Sequence, residues 1–312
     1  MRRNKHPWLR RVILIAIAII LPISAVITIA DGRIAFLPTW RELYAACGFY
    51  KPLVPEDQLR ITFFDVGNGD CILLQSGDET ALIDAGGDRQ SSEVITDIRL
   101  HGITRLDHVV ATHADTDHIG SLDDAVRAFA VGTFWMPLYS PEYEPTTRAY
   151  AELRDALREK AIPISTAGYL QEFSVGRAKV TFLNDRDTAE YTDGNRRSAV
   201  CRVTFGDHAF LLMGDAEAVT ERELLDIPAM LEADVIKIAH HGSDTSSHPL
   251  FIETVDPEIA VITCGFANSY GHPHDETLET LSAVGASVYR TDIHGAITIT
   301  SDGKTLSVDH AR

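Results

Sequence analysis

Thr112, His113, Ala114, Asp115, Thr116, Asp117, His118, Ile119 and Gly120 follow directly on the apolar run Val109, Val110, Ala111. Two imidazoles and two carboxylates within six residues are the donor types that divalent cations take, and the end of a buried strand gives them a rigid base. Two cations held side by side need several neutral imidazoles and carboxylates, one carboxylate able to bridge, and a water between them ionises near neutral pH. Five stretches supply such groups: Asp84; the cluster His113, Asp115, Asp117 and His118; Asp215; the pair His240 and His241; and His272 and His274 around Pro273. Ser243 follows the histidine pair without the glycine pattern of a nucleophile elbow, which argues against a serine hydrolase.

Those residues need a scaffold, and the pattern of apolar runs and turn signals supplies one. Residues 60–66, 71–75 and 80–83 read as strands separated by Gly67, Asn68, Gly69, Asp70 and by Ser76, Gly77, Asp78. Asp65 and Asp70 flank the glycine turn and read as turn-forming. A helix follows over 92–101, capped by Ser92, then a strand over 108–111, a helix over 121–129, a strand over 132–136 and a helix over 146–160. Strands are expected at 179–183, 199–205, 208–213, 234–239, 259–263, 287–290 and 296–300, with helices at 217–225, 249–255 and 276–285. Strand runs followed by alternating strands and helices predict an α+β chain in which two sheets pack face to face with helices outside, a four-layer αββα sandwich. All the candidate chemistry then falls at strand ends along one rim.

The amino terminus carries a different signal. Residues 12–30 contain no charge, about the length a helix needs to cross roughly 30 Å of hydrocarbon, with Pro22 inside a run that tolerates it. Arg2, Arg3, Lys5, Arg10 and Arg11 precede it with no acidic residue, which predicts a cytoplasmic tail over 1–11, a single-pass anchor over 12–30, a proline-bearing spacer over 31–57 with a short amphipathic piece at 40–47, and an extracytoplasmic domain over 58–312. Cleavage after Thr28, Ile29, Ala30 would make the segment a signal peptide and the product secreted.

The full chain holds 28 basic and 45 acidic residues. With the five basic residues of the tail set aside, the remainder has 23 against 45, a net of −22. That argues against broad, sequence-independent binding of nucleic acid through a positive surface, though Arg196, Arg197, Arg202, Lys237 and Arg290 could still line a local basic groove. The 45% apolar content suffices for a packed core. Cys47, Cys71, Cys201 and Cys264 show no close pairing, and their spacing does not choose among the disulfides an extracytoplasmic setting would permit.

The stretches 64–70, 82–87, 112–120, 214–217, 233–243 and 270–274, with Thr291, Asp292 and Gly295 to Ile297, together resemble the metallo-β-lactamase superfamily. Within it they look like the hydrolase domain attached to the ComEC family of DNA-uptake channels. The resemblance implies a hydrolase in which a metal-activated hydroxide attacks the substrate, with two divalent ions, Zn²⁺ or Mn²⁺. It implies His113 and Asp115 as ligands of one ion, Asp117 and His118 of the second, Asp215 as the bridge, and one of His240 and His241 as the late ligand; adjacent residues in an extended segment point in opposite directions, so the other of the pair is expected to support it or meet substrate. Asp117, Lys237 and His241 would act on the substrate, Lys237 as a cation facing an oxyanion. Asp84 would orient the histidine loop, and Asn195, Ser198, His272, His274 and Asp292 would line the rim.

Two departures stand out. Asp115 stands where the wider superfamily has a histidine, which makes the site richer in oxygen and as suited to Mn²⁺ as to Zn²⁺, and a further histidine is missing before Gly214, where Asn195 and Ser198 lie. The implied substrate is a phosphodiester, with single-stranded DNA first. The alternatives are hydrolysis of a small ester, lactone or nucleotide, and a non-catalytic metal-binding module of an uptake or envelope complex.

Overall fold

The computed structural model describes Leu21, Pro22, residues 54–183 and residues 194–312. The expected tail, anchor and spacer lie outside the described residues apart from Leu21, Pro22 and residues 54–57. Among the described residues no helix is long and apolar enough to cross a membrane. Leu53–Arg312 forms one compact unit.

Fifteen strands, numbered in chain order, make two sheets among the described residues. The first has the order β15-β14-β1-β2-β3-β4-β5-β6, from β1 Leu59–Phe63, β2 Ile72–Ser76, β3 Glu79–Ile83, β4 Arg105–Val110, β5 Ala130–Met136, β6 Ile164–Thr166, β14 Ile297–Ser301 and β15 Leu306–His310. The second runs β13-β12-β11-β10-β9-β8-β7, from β7 Glu172–Val175, β8 Ala178–Phe182, β9 Cys201–Phe205, β10 His208–Leu212, β11 Val235–Lys237, β12 Ile259–Ile262 and β13 Ser287–Arg290. Each sheet is half antiparallel and half parallel. β3 through β6 and β10 through β13 are the parallel halves, and the crossovers between them carry helices, as parallel pairing requires.

Strand alternation builds the layers. In β1 Leu59, Ile61 and Phe63, and in β10 Phe210 and Leu212, face the neighbouring sheet, whereas Leu73, Leu82 and Leu211 point outward. The outward residues of the first sheet are covered by α1 Ser91–Leu100, α3 Leu122–Ala128 and α4 Arg148–Glu159, with the single helical turn α2 Thr116–Ile119 between them. Those of the second are covered by α5 Ala218–Leu224, α6 Pro249–Val255 and α7 Asp275–Ala283. α4 shows why such segments are helices. Thr147 accepts the Tyr150 N–H at its start, and Ala149, Tyr150, Leu153, Ala156 and Leu157 form one buried stripe. Phe63, Phe182 and Phe210 are fully buried between the sheets, and replacing any one by alanine would cost about 3–5 kcal/mol.

The four layers follow the expected αββα order. Three strands differ from the sequence reading. β6 has three residues, and β7 and β15 expose alternate polar side chains at sheet edges, so none presents an apolar run. Cys71, Cys201 and Cys264 are free and buried.

Parallel strands present their carboxyl ends to the same rim, where open α/β sheets place their sites. Asp84 follows β3, Thr112 and His113 follow β4, Asp215 follows β10, Lys237 ends β11, and Thr263 follows β12. Asp70 precedes β2, whose antiparallel direction brings its start to that same rim.

Candidate metal centre

The turn after β4 is built from its first residue. Asp84 Oδ1 accepts the Thr112 N–H at 2.8 Å and Oδ2 accepts the Thr112 hydroxyl at 2.6 Å. The Asp115 carbonyl then accepts from the N–H groups of His118 and Ile119, both at 3.0 Å, which starts α2 and turns His118 into the interior. Gly69 lies beneath this turn with φ +134°, and a Cβ there would sit 2.2 Å from the Asp117 carbonyl oxygen. Only glycine lets the two loops approach so closely.

The second sheet supplies the other wall. Ser198 Oγ accepts the Asp215 N–H at 3.1 Å, fixing that carboxylate at the end of β10. The histidine pair departs from its expected geometry. Opposite directions were expected from an extended segment, but His240 (φ 49°, ψ 44°) and His241 (φ 55°, ψ 20°) are both left-handed, inside a 3₁₀ turn over Ala239–Gly242. Two consecutive residues in that region store strain, a state that persists only where the surroundings enforce it. The pair still divides its roles. His241 is buried and turned into the centre, while His240 meets Thr245 Oγ1 at 3.0 Å and Asn195 Nδ2 at 3.5 Å and stays 3.9 Å from Asp215.

Asp117, His118, Asp215 and His241 converge so that one donor atom from each lies within 4.8 Å of all the others. His118 Nε2 is 3.2 Å from Asp215 Oδ1, and His241 Nε2 is 3.4 Å from Asp215 Oδ2 and 3.7 Å from Asp117 Oδ2. Each ring is oriented from behind: His118 Nδ1 donates to Asp84 Oδ2 at 2.8 Å and His241 Nδ1 to the Thr263 carbonyl at 2.8 Å. That leaves both Nε2 atoms pointing into the shared space.

His113 and Asp115 form a looser half. His113 Nε2 is 3.8 Å from Asp115 Oδ2, whose side chain is 51% exposed, and neither residue joins the four-residue convergence. The Thr112 hydroxyl has one proton, committed to Asp84, so towards His113 Nδ1 at 3.1 Å it must accept. Ser198 Oγ is 3.3 Å from the same nitrogen. His113 is thus backed by hydroxyls, where His118 is backed by a carboxylate.

Lys237 departs from its expected role. It is fully buried, with Nζ 2.6 Å from Asp70 Oδ2 and donating to the Gly214 carbonyl at 3.0 Å. In β11 it shares a face with Val235 in the inter-sheet core, so its charge is spent beneath the centre. Asp70 is the residue that sequence reasoning missed. It is 1% exposed, accepts the Thr263 hydroxyl at 2.6 Å and closes a chain from Lys237 through Thr263 to His241. The signal was a lone lysine inside an apolar strand, which requires a buried partner.

Of the remaining rim residues, His272 and His274 adjoin the histidine pair and Asp292 is engaged elsewhere. His274 Nδ1 accepts the Asp244 N–H at 3.0 Å, and His272 stacks on His241 with ring centroids 6.4 Å apart. Asp292 is gripped by Arg290 at 2.7 and 3.0 Å, at the end of β13. The five cations that could have lined a local basic groove do not form one. Arg196 faces Glu217, Arg202 reaches the Glu232 carbonyl, Arg197 lies over the rings of Tyr139 and Tyr143, and Arg290 and Lys237 are paired as described.

Charge is arranged for a cation. Burial alone would strip the proton from His118, but the carboxylates of Asp215 and Asp84 outweigh it and raise its pKa well above the ordinary range. His241 is likewise opposed by burial and lifted, by Asp215 and Asp117, to about 9. Burial would raise Asp117 and Asp215. His241, whose Nε2 lies 3.7 Å away, and the charge of His118 hold Asp117 at about 2, and the charges of His118 and His241 hold Asp215 well below the usual range. His113 goes the other way, to about 3, through burial and the neighbouring His118 charge. Nε2 of His113, His118 and His241 and Oδ1 of Asp215 are buried and make no hydrogen bond. Such orphaned donors around carboxylates fit a divalent cation, which would take the place that protons hold on His118 and His241. Asp84 and Asp70 also lie near His118, but Thr112, Thr263 and Lys237 already occupy their oxygens, so they back the centre.

A family model described as the metallo-beta-lactamase superfamily matches residues 64–265, more than half of the chain. Competence protein ComA of Neisseria gonorrhoeae is 30% identical over 284 residues, covering 89% of this chain and 38% of that protein. ComE operon protein 3 of Bacillus subtilis is 28% identical over 258 residues, covering 76% of this chain and 32% of that protein. The chain spans about a third of the length of these relatives. The crystal structure of CmlA, a diiron β-hydroxylase from Streptomyces venezuelae, shares the fold with a TM-score of 0.53 at 16% identity, over 78% of this chain and 54% of that one.

Proposed function

The chain belongs to the metallo-beta-lactamase superfamily, with ComEC-type relatives, and from that premise we propose that it hydrolyses phosphodiesters, single-stranded DNA foremost, with a divalent cation at the centre just described. The observation that carries the reading is the convergence of Asp117, His118, Asp215 and His241 with their orphaned donor atoms. A Zn²⁺ or Mn²⁺ ion there would supply Lewis-acid charge and an acidified water. The names of the competence relatives favour DNA over a small ester or lactone.

The chain's own residues divide the rest of the work. His118, His241 and Asp215 are buried and backed from behind, so they would hold a divalent cation. Asp117 stands at the open face as a carboxylate, an acceptor that can orient a water. His240 and Asn195 border the same face with donors for a non-bridging phosphoryl oxygen. His113 and Asp115 offer a second, weaker position for a cation. The basic tail and charge-free stretch over 2–30 support a membrane-anchored enzyme with its catalytic unit outside the cytoplasm.

The test loads the purified full chain with Mn²⁺ or Zn²⁺ and offers bis-p-nitrophenyl phosphate and single-stranded DNA beside an ester and a lactone, with Asp117→Ala as control. Metal-dependent turnover of the two diesters, lost in the variant, is expected. Turnover confined to the lactone or ester would remove the phosphodiester reading, and no turnover on any substrate would remove the hydrolase.

A further inference from the structure

Tyr270 and Phe266 are 68% and 84% exposed, two aromatic rings on one loop of an acidic protein, and Tyr270 lies at the edge of the metal centre. An exposed ring of this size needs a reason when it stands at the edge of a site. The loop that carries them is rigid. The Asn268 side chain donates to the carbonyls of Gly265 at 2.9 Å and His272 at 2.6 Å, and accepts from the N–H groups of Tyr270 at 3.2 Å and His272 at 3.0 Å. Asn68 anchors the start of the loop by accepting the Gly265 N–H at 2.8 Å. Tyr270 is therefore held in the open by a fully used asparagine.

The ring is also the outer end of a stack. Tyr270 lies on His272 with centroids 5.6 Å apart and planes at 24°, and His272 lies on His241 at 6.4 Å and 28°. Three near-parallel rings thus lead from solvent to a residue that holds the metal centre. His272 is nine-tenths buried, and its Nδ1 makes no hydrogen bond, so a polar group remains open along the stack.

We infer that Tyr270, backed by His272, is a stacking platform for a nucleobase, which holds the base beside the phosphate to be cleaved. The inference rests on the hydrolase reading for its purpose but on the rings alone for its geometry. It also answers the charge problem. With a net of −22 over residues 31–312 and the local arginines committed elsewhere, affinity cannot come from tracking many phosphates. Base stacking is insensitive to that charge and tolerant of sequence.

The full chain, loaded with Zn²⁺, is mixed with a short deoxythymidine oligonucleotide carrying one 2-aminopurine, and separately with 2-aminopurine deoxynucleoside monophosphate. Stacking quenches the fluorescence of both, and a response from the monophosphate alone would assign the platform to free nucleotides. Tyr270→Ala should abolish the quench and Tyr270→Trp should keep it. In turnover of the oligonucleotide, Tyr270→Ala should raise KM about tenfold, the size of one lost base–aromatic stack, with kcat within about twofold. Binding without quenching, an unchanged KM in Tyr270→Ala, or no binding of either probe would overturn the platform. Quenching that depends on Tyr270 in a protein that hydrolyses nothing would remove the hydrolase reading and leave the platform standing.

Discussion

His113 and His118 leave the same turn with ring centroids 4.2 Å apart, yet their surroundings differ. His118 is backed by the Asp84 carboxylate and converges with Asp117, Asp215 and His241. His113 is backed by two hydroxyls, and the carboxylate it meets, Asp115, is half exposed. A carboxylate behind an imidazole raises its basicity and fixes its direction, and a hydroxyl does so weakly. The difference teaches that ligand types alone do not make two equal positions. What stands behind the ligands grades them, and the His118 half is expected to bind a cation more tightly.

Lys237→Met tests the support of the strong half and should have the largest effect on folding. It strands the Asp70 carboxylate in the core, at a cost of about 3–5 kcal/mol in chemical denaturation. Adding Asp70→Asn should recover a good part of that. Were the single variant as stable as the parent, the chain from Lys237 through Asp70 and Thr263 to His241 would not be holding the centre.

The pH dependence of the metal-free protein sharpens the contrast because the two halves titrate in opposite directions. His241, lifted to about 9, stabilises the fold while protonated. That contribution, on the order of 3 kcal/mol, is present below the unfolded value near 6.5 and lost as pH rises through 9. His113, held at about 3, binds its proton less readily folded than unfolded, so its share of stability is present at neutral pH and lost as pH falls from about 6.5 towards 3. Thermal melts across pH should therefore fall on the alkaline side less steeply in His241→Gln and on the acid side less steeply in His113→Gln. The reverse assignment would break the comparison.

Ser198→Ala should have the smallest effect. It removes the hydroxyl behind His113 and the acceptor for the Asp215 N–H, worth about 1 kcal/mol, and should leave cation affinity at the His118 half within a few-fold.

The cluster from His113 to His118 was readable from its donor types after a strand end, and Asp84, Asp215 and the histidine pair were readable as further candidate groups. The separate roles of Asp84 and Asp215 came from the resemblance to the superfamily. Asp70 was not readable, since its role depends on Lys237 and Thr263, far along the chain, and a glycine turn offered a simpler explanation. Lys237 was read as facing the substrate although strand alternation puts it with Val235 between the sheets. His240 and His241 misled because the alternation argument presumes extended backbone, and their left-handed turn is enforced by tertiary contacts that no local pattern encodes. β6, β7 and β15 escaped because short, half-exposed edge strands owe their conformation to the strand beside them.

The grading of the two halves is tested most directly by titrating Zn²⁺ and Mn²⁺ into the metal-stripped full chain and into His118→Ala and His113→Ala, with bound metal counted by elemental analysis. The account predicts that His113→Ala keeps the tightest site and that His118→Ala loses it, with affinity there falling by a hundredfold or more, beyond the roughly 10–100-fold typical of supporting residues. A tight site that survives in His118→Ala and disappears in His113→Ala would contradict it.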